Sequence, residues 1–212
     1  MDKLPVETTH FSIGDAPPPP GLERRAGERH LTLFRVGTLI VDGQRELCLI
    51  RNLSPAGMML RAYCALAEGQ LLEIELKTGQ PLLGRVHWMR DQLVGVCFDE
   101  PIDVVSLLAT PEDGRRPRMP RIETGTHAAV RAGARTYHAR TCDISQGGIK
   151  VESRTALPVG TEVVVTLGGL ASQSGIVRWS EGPYLGITFN RLLALPTLID
   201  WLKAQRRSSQ AA

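Results

Sequence analysis

The strongest constraint on this chain is that it repeats itself. Residues 52–98 align with residues 143–189 without a gap, at a constant offset of 91 residues. The matches include Ser54/Ser145, Gly57/Gly148, Leu66/Leu157, Gly69/Gly160, Leu76/Leu167, Gly84/Gly175, Trp88/Trp179, Gly95/Gly186 and Phe98/Phe189. Scattered glycines match by chance. Tryptophan, phenylalanine and glycine together at one offset over 47 positions mean a duplicated folding unit. The 212 residues therefore divide into a leader and two copies of about 90 residues each.

Each copy reads as short strands. LTLFRVGTLIV runs from residue 31 to a type I′ turn signal at Asp42-Gly43, and ELCLIRN follows, so a hairpin is expected. GMMLRAY, LLEIEL, PLLGRVHWM and LVGVCF come next, each bounded by turn-forming residues. Strands at roughly ten-residue spacing predict a small antiparallel barrel, and a closed barrel of this size buries a core unaided. The 21 glycines and 14 prolines suit many tight turns, and 42% hydrophobic residues suffice for two cores. PIDVVSLLAT at 101–110 predicts a short closing helix, and PEDGRRPRMP a linker. PTLIDWLKAQRR at 196–207 has helical apolar spacing and a basic end, which suits the helix dipole. The expected fold is all-β, with two tandem six-stranded antiparallel barrels, each followed by a short C-terminal helix. The expected divisions are a flexible leader at 1–22 containing Pro17 to Pro20, a barrel at 23–110, an arginine-bearing linker at 111–122, and a second barrel with its helix at 123–212.

Several classes are excluded. Cys48, Cys64, Cys97 and Cys142 form no CxxC clip, and no histidine stands at ligand spacing from them. No zinc site or disulfide framework is expected, and the cysteines read as small buried strand residues. Trp88 and Trp179, at matching places in apolar strands, read as core. No apolar run approaches the ~18 residues of a membrane span, and the N-terminus lacks a secretion core, so a cytoplasmic protein without membrane insertion is expected. Aromatic residues are only 5%, and basic residues gather in two short loops, which disfavours a nucleic-acid polymer as partner. No GxSxG, HExxH or P-loop is present, so no enzyme, catalytic residue, metal or cofactor is expected.

The chemistry lies in the arginines and the turns that follow them. Arg24, Arg25 and Arg29 open the first copy, ahead of Asn52-x-Ser54-x-x-Gly57. Arg115, Arg116, Arg118 and Arg121 open the second, ahead of Asp143-x-Ser145-x-x-Gly148. A guanidinium matches phosphate or the O6/N7 edge of guanine bidentately and stacks on bases. Asn or Asp can cap the turn or accept from guanine N1–H and N2–H, Ser adds a hydroxyl, and Gly permits positive φ or close approach of a ligand. The pattern suits a guanine-bearing anion.

These residues resemble the PilZ domain family, whose motif is RxxxR followed by [D/N]xSxxG on a six-stranded barrel. Arg25-x-x-x-Arg29 and Asn52-x-Ser54-x-x-Gly57 match it in full. The resemblance implies a non-catalytic receptor for cyclic di-GMP acting through a protein effector. Arg24 implies a stacked pair of ligand molecules. In the second copy, setting Arg121 against the end of the arginine motif puts Pro117 where the first arginine belongs, flanked by Arg116 and Arg118. Either a neighbouring arginine substitutes, or this copy does not bind. The alternative for the whole chain is a degenerate PilZ adaptor acting through protein contacts, with one or both ligand sites lost.

Overall fold

The computed structural model describes residues 31–76, 81–108 and 119–210, with side chains from residue 35 to residue 208. The expected leader and most of the linker lie outside these residues.

The first copy forms β1 (Leu31–Val41), β2 (Gln44–Ser54), β3 (Gly57–Ala62), β4 (Leu71–Glu75), β5 (Pro81–Arg90) and β6 (Leu93–Phe98), then α1 (Val104–Leu108). The strands close an antiparallel barrel in the order β1-β2-β3-β6-β5-β4. Its hairpin starts at the expected place: Val41 pairs with Gln44, and Asp42 and Gly43 take φ of 50° and 75°. Alternate residues point inward, so Leu39, Ile50, Leu60, Leu72 and Ile74 are fully buried.

The second copy repeats the ring with one edit. It comprises β7 (Ile122–Glu123), β8 (His127–Ala132), β9 (Arg135–Ser145), β10 (Gly148–Ser153), β11 (Glu162–Leu167), β12 (Leu170–Glu181), β13 (Tyr184–Phe189) and α2 (Leu195–Gln210). The order β10-β13-β12-β11-β8-β9 closes through the β9–β10 pairing. β7 and β8 together replace the single strand β1. Leu31 pairs with Leu53 and Thr32 with Asn52, and at the same offset Ile122 pairs with Ile144 and Glu123 with Asp143. Ile122, at the end of the expected linker, is thus already a buried barrel residue.

Two expectations about individual residues are corrected. Trp88 and Trp179 are half-buried and not core. β5 and β12 each bulge before the tryptophan, which then pairs with Gly95 or Gly186. Each indole lies on the outside of its barrel, over the glycine, where a Cβ would overlap the ring. The flanking Val94 and Val96, or Leu185 and Ile187, are the inward residues. Of the cysteines, only Cys48 is buried, while Cys97 is exposed and the other two lie between. Burial pushes the Cys48 thiol up to about 12 and the Cys64 thiol to about 11, so both stay protonated at neutral pH.

α2 is much longer than α1 and ties the barrels together. Leu198, Trp201 and Leu202 are buried in the second core, and the Trp201 indole N–H donates to Gly168 O at 2.8 Å. Leu47 of β2 belongs to the same cluster, with Val36, Leu49 and Tyr63 packed against it. Arg206 pairs with Glu46 and donates to Arg45 O at 2.8 Å. Arg45 in turn forms a two-point pair with Glu75, at 2.7 Å for each contact.

Gly186→Ala should lower stability by about 1–3 kcal/mol, because Trp179 must move aside for the new methyl group. Gly168→Ala, with open space around the new atom, should change it by less than about 0.5 kcal/mol. Denaturant unfolding of both variants checks the contrast, and equal effects would contradict the indole-on-glycine packing.

Candidate functional site

Both Asx-x-Ser-x-x-Gly segments are two-residue turns, one joining β2 to β3 and the other β9 to β10. Ser54 pairs with Gly57, and Ser145 with Gly148. The serine hydroxyl donates to the glycine carbonyl in each, at 3.0 Å for Ser54 and 3.3 Å for Ser145. A hydroxyl has one proton, so what remains on each Oγ is acceptor capacity.

Neither glycine takes a positive φ. Their requirement is steric: a Cβ on Gly57 would meet Val96 O, and one on Gly148 would meet Ile187 O. The close approach is therefore to the barrel's own backbone. The turns are further pinned by the segments after β6 and β13. Phe98 N donates to Ala56 O at 3.0 Å and Ile102 N to Pro55 O at 2.9 Å. Phe189 N donates to Gly147 O at 2.9 Å and Leu193 N to Gln146 O at 2.8 Å. The Gln146 side chain returns a bond to Leu193 O at 2.9 Å. Each turn is held rigid before any ligand arrives.

Asn52 and Asp143 are half-buried and sit on the outer face, beside inward Leu53 and Ile144. Asp143 does not cap the turn. Its carboxylate accepts from Arg121 Nη1 at 2.5 Å, so an arginine from the linker and the acid of the turn motif meet directly. Ser145 is buried and Ser54 half-buried. Arg24, Arg25, Arg29, Arg116 and Arg118 lie outside the described residues.

The strand register also gives a second way to align the arginine motif of the second copy. The offset of 91 holds through Leu31/Ile122. Carried back along the chain, it sets Arg115 and Arg116 level with Arg24 and Arg25, Arg118 with Gly27, Pro120 with Arg29, and Arg121 with His30. On that offset Pro117 stands level with Ala26.

One pair of neighbours was not singled out from sequence. Lys150 is level with Asp143 on β10, and its ammonium lies 4.3 Å from the centre of the Tyr184 ring on β13. The first barrel has Met59 and Leu93 at these places. Strand alternation marks Lys150 as outward, but only the β10–β13 register brings Tyr184 beside it. The second site is thus the more polar. Burial pushes the neighbouring Cys142 thiol up, against its use as a nucleophile. Among the described residues, no three His, Cys, Asp or Glu side chains gather as metal ligands, and no helix is long and apolar enough to cross a membrane.

The two barrels carry an arginine-preceded Asx-x-Ser-x-x-Gly turn at the same ring position, so the fold and its motif are duplicated together. The chain belongs to the PilZ domain family, whose model matches residues 23–109 and 115–201. Among solved structures it is similar to Borreliella burgdorferi PlzA in complex with c-di-GMP, at 14% identity and TM-score 0.38, covering 79% of this chain and 86% of that one. It is also similar to Escherichia coli YcgR in complex with c-di-GMP, at 18% identity and TM-score 0.32, covering 84% of each chain. A third is the Bacillus subtilis inhibitor of motility, MotI/DgrA, at 12% identity and TM-score 0.34, covering 85% and 99%. No curated protein matches the chain.

The Arg121–Asp143 pair is solvated, with side chains 40% and 21% exposed. Pairs of that kind contribute about 0–1 kcal/mol. Asp143→Asn should therefore leave the thermal midpoint nearly unchanged. A loss of several kcal/mol would show that the carboxylate is needed to hold the barrel.

Proposed function

We propose that the protein is a cytoplasmic, non-catalytic receptor for cyclic di-GMP, which reports ligand capture by altering the arrangement of its barrels or its contact with a protein effector. The observation that carries this is the rigid Asx-x-Ser-x-x-Gly turn at the same place in both barrels of a PilZ chain, preceded each time by arginines. Asn52 and Ser54 hold a guanine edge, Arg25 and Arg29 reach its O6/N7 edge and the phosphates, and Arg24 grips a second ligand molecule. Gly57 keeps the turn in register. In the second barrel Arg116, Arg118 and Arg121 take the arginine roles, and Asp143, Ser145 and Gly148 those of the turn. Arg121 and Asp143 satisfy one another, so ligand has to exchange that contact for its own.

That same contact favours a second reading for the second barrel alone. With the last arginine displaced by one residue and turned onto Asp143, this barrel acts as an adaptor without ligand, and the first barrel is the receptor.

Titration calorimetry separates the two. If only the first barrel binds, Arg25→Ala abolishes the heat, and Arg121→Ala leaves it intact. If both bind, each variant loses part of the stoichiometry. Removing a charged bidentate partner costs about 1–3 kcal/mol, so about fivefold or more in affinity at the altered site. No heat from the unaltered protein would sink the receptor proposal.

The interdomain response has its own test. Any large rotation of the barrels must break the Arg206–Glu46 pair and lift Leu47 from its cluster. Small-angle scattering should therefore differ with and without cyclic di-GMP, and Arg206→Glu should shift the ligand-free profile. Superimposable profiles with and without ligand would rule the rotation out.

A further inference from the structure

The duplication presents one surface twice, and the two versions differ. On the first barrel, the outward residues of the β1–β2 hairpin are Val36, Thr38, Leu47 and Leu49, with Tyr63 after β3. This face is covered by α2: Leu47 is 3% exposed within the cluster that holds Leu198 and Leu202. At the same offset, the second barrel has His127, Ala129, His138, Arg140 and Arg154, and Arg131 stands where Ile40 stands in the first. The register places His127 opposite Arg140 and Ala129 opposite His138. All five basic side chains are exposed.

Arg131, Arg140 and Arg154 make no ion pair among the described residues, whose four pairs are those of Arg45, Arg85, Arg121 and Arg206. Arg131 Nη1 donates to Gly133 O at 3.2 Å, and Arg140 Nε donates to Gly125 O at 3.2 Å, so both guanidiniums are steadied by carbonyls that leave the positive charge in place. Glu152, level with Arg140 on β10, and Glu162 at the start of β11 flank the row without an ion pair to it.

We propose that the outer face of the β8–β9 hairpin is a docking surface for an acidic helix of a partner protein. The helix follows from equivalence, since the matching face of the first barrel receives one. The acidic character follows from charge complementarity, which sets partner choice and association rate at such surfaces. The same charges exclude a second copy of this chain. α2 carries Lys203, Arg206 and Arg207 against Asp200, so it meets like charge here, and head-to-tail stacking of chains is blocked.

The test uses the full chain and three labelled probes: a peptide of residues 195–210 with Lys203→Glu, Arg206→Glu and Arg207→Glu, the unaltered peptide, and a short duplex DNA. The acidic peptide should bind, weaken as salt rises, and lose at least tenfold in affinity to the Arg131→Glu/Arg140→Glu double variant. The unaltered peptide should not bind. Circular dichroism of the double variant checks that it folds, and Arg154→Glu alone provides a second, milder substitution in the same row. The proposal is overturned if the acidic peptide fails to bind or binds the double variant equally well. Duplex DNA binding that is lost in the same variant would likewise overturn it, assigning the face to nucleic acid.

Discussion

Everything in each barrel leans on a backbone-to-backbone approach that only glycine permits. The carbonyl of Val96 occupies the space of a Cβ at Gly57, and that of Ile187 the same space at Gly148. β3 pairs with β6 from Gly57 to Arg61, and β10 with β13 from Gly148 to Glu152, because nothing projects at that point. The ring then closes beside the turn, and the turn is bonded in place by the chain that leaves the ring. The glycine of the motif therefore has a structural task whether or not a ligand binds. The polar groups left at the turn are the serine acceptor and the outward Asn52 or Asp143.

Duplication kept this frame and changed its surfaces. The offset of 91 survives in every strand pairing, the tryptophan-on-glycine packing is present twice, and the serine-to-glycine bond is present twice. The changes lie on outward positions, where packing places few demands. Met59 and Leu93 give way to Lys150 and Tyr184, and the apolar β1–β2 face gives way to a basic one. Outward residues of a strand can change without disturbing the inward row, because the two alternate.

α2 is where the two copies cease to be independent. Its apolar side is shared between the second core and β2 of the first barrel, and Arg206 fastens its end to Glu46. The described residues of α1, Val104–Leu108, pack against the first core instead. The first barrel accordingly presents a face that needs a helix from elsewhere in the chain, and the second barrel supplies it.

Much of this was legible in the residues alone. The repeat, the six short strands per copy, the Asp42-Gly43 hairpin, the closing helices and the two turn motifs follow from spacing and turn chemistry, which act over a few residues. Those local rules suffice for the duplicated all-β architecture and for the placing of each serine and glycine in a turn. Tertiary structure decided the rest. It put Trp88 and Trp179 outside, because a bulge in their own strands, just before each tryptophan, reverses the alternation that made them look like core. It joined Arg121 to Asp143 and Lys150 to Tyr184, because strand register is a long-range property. Local patterns say which side chains leave a strand on the same side. Only the closed ring says what each of them meets there.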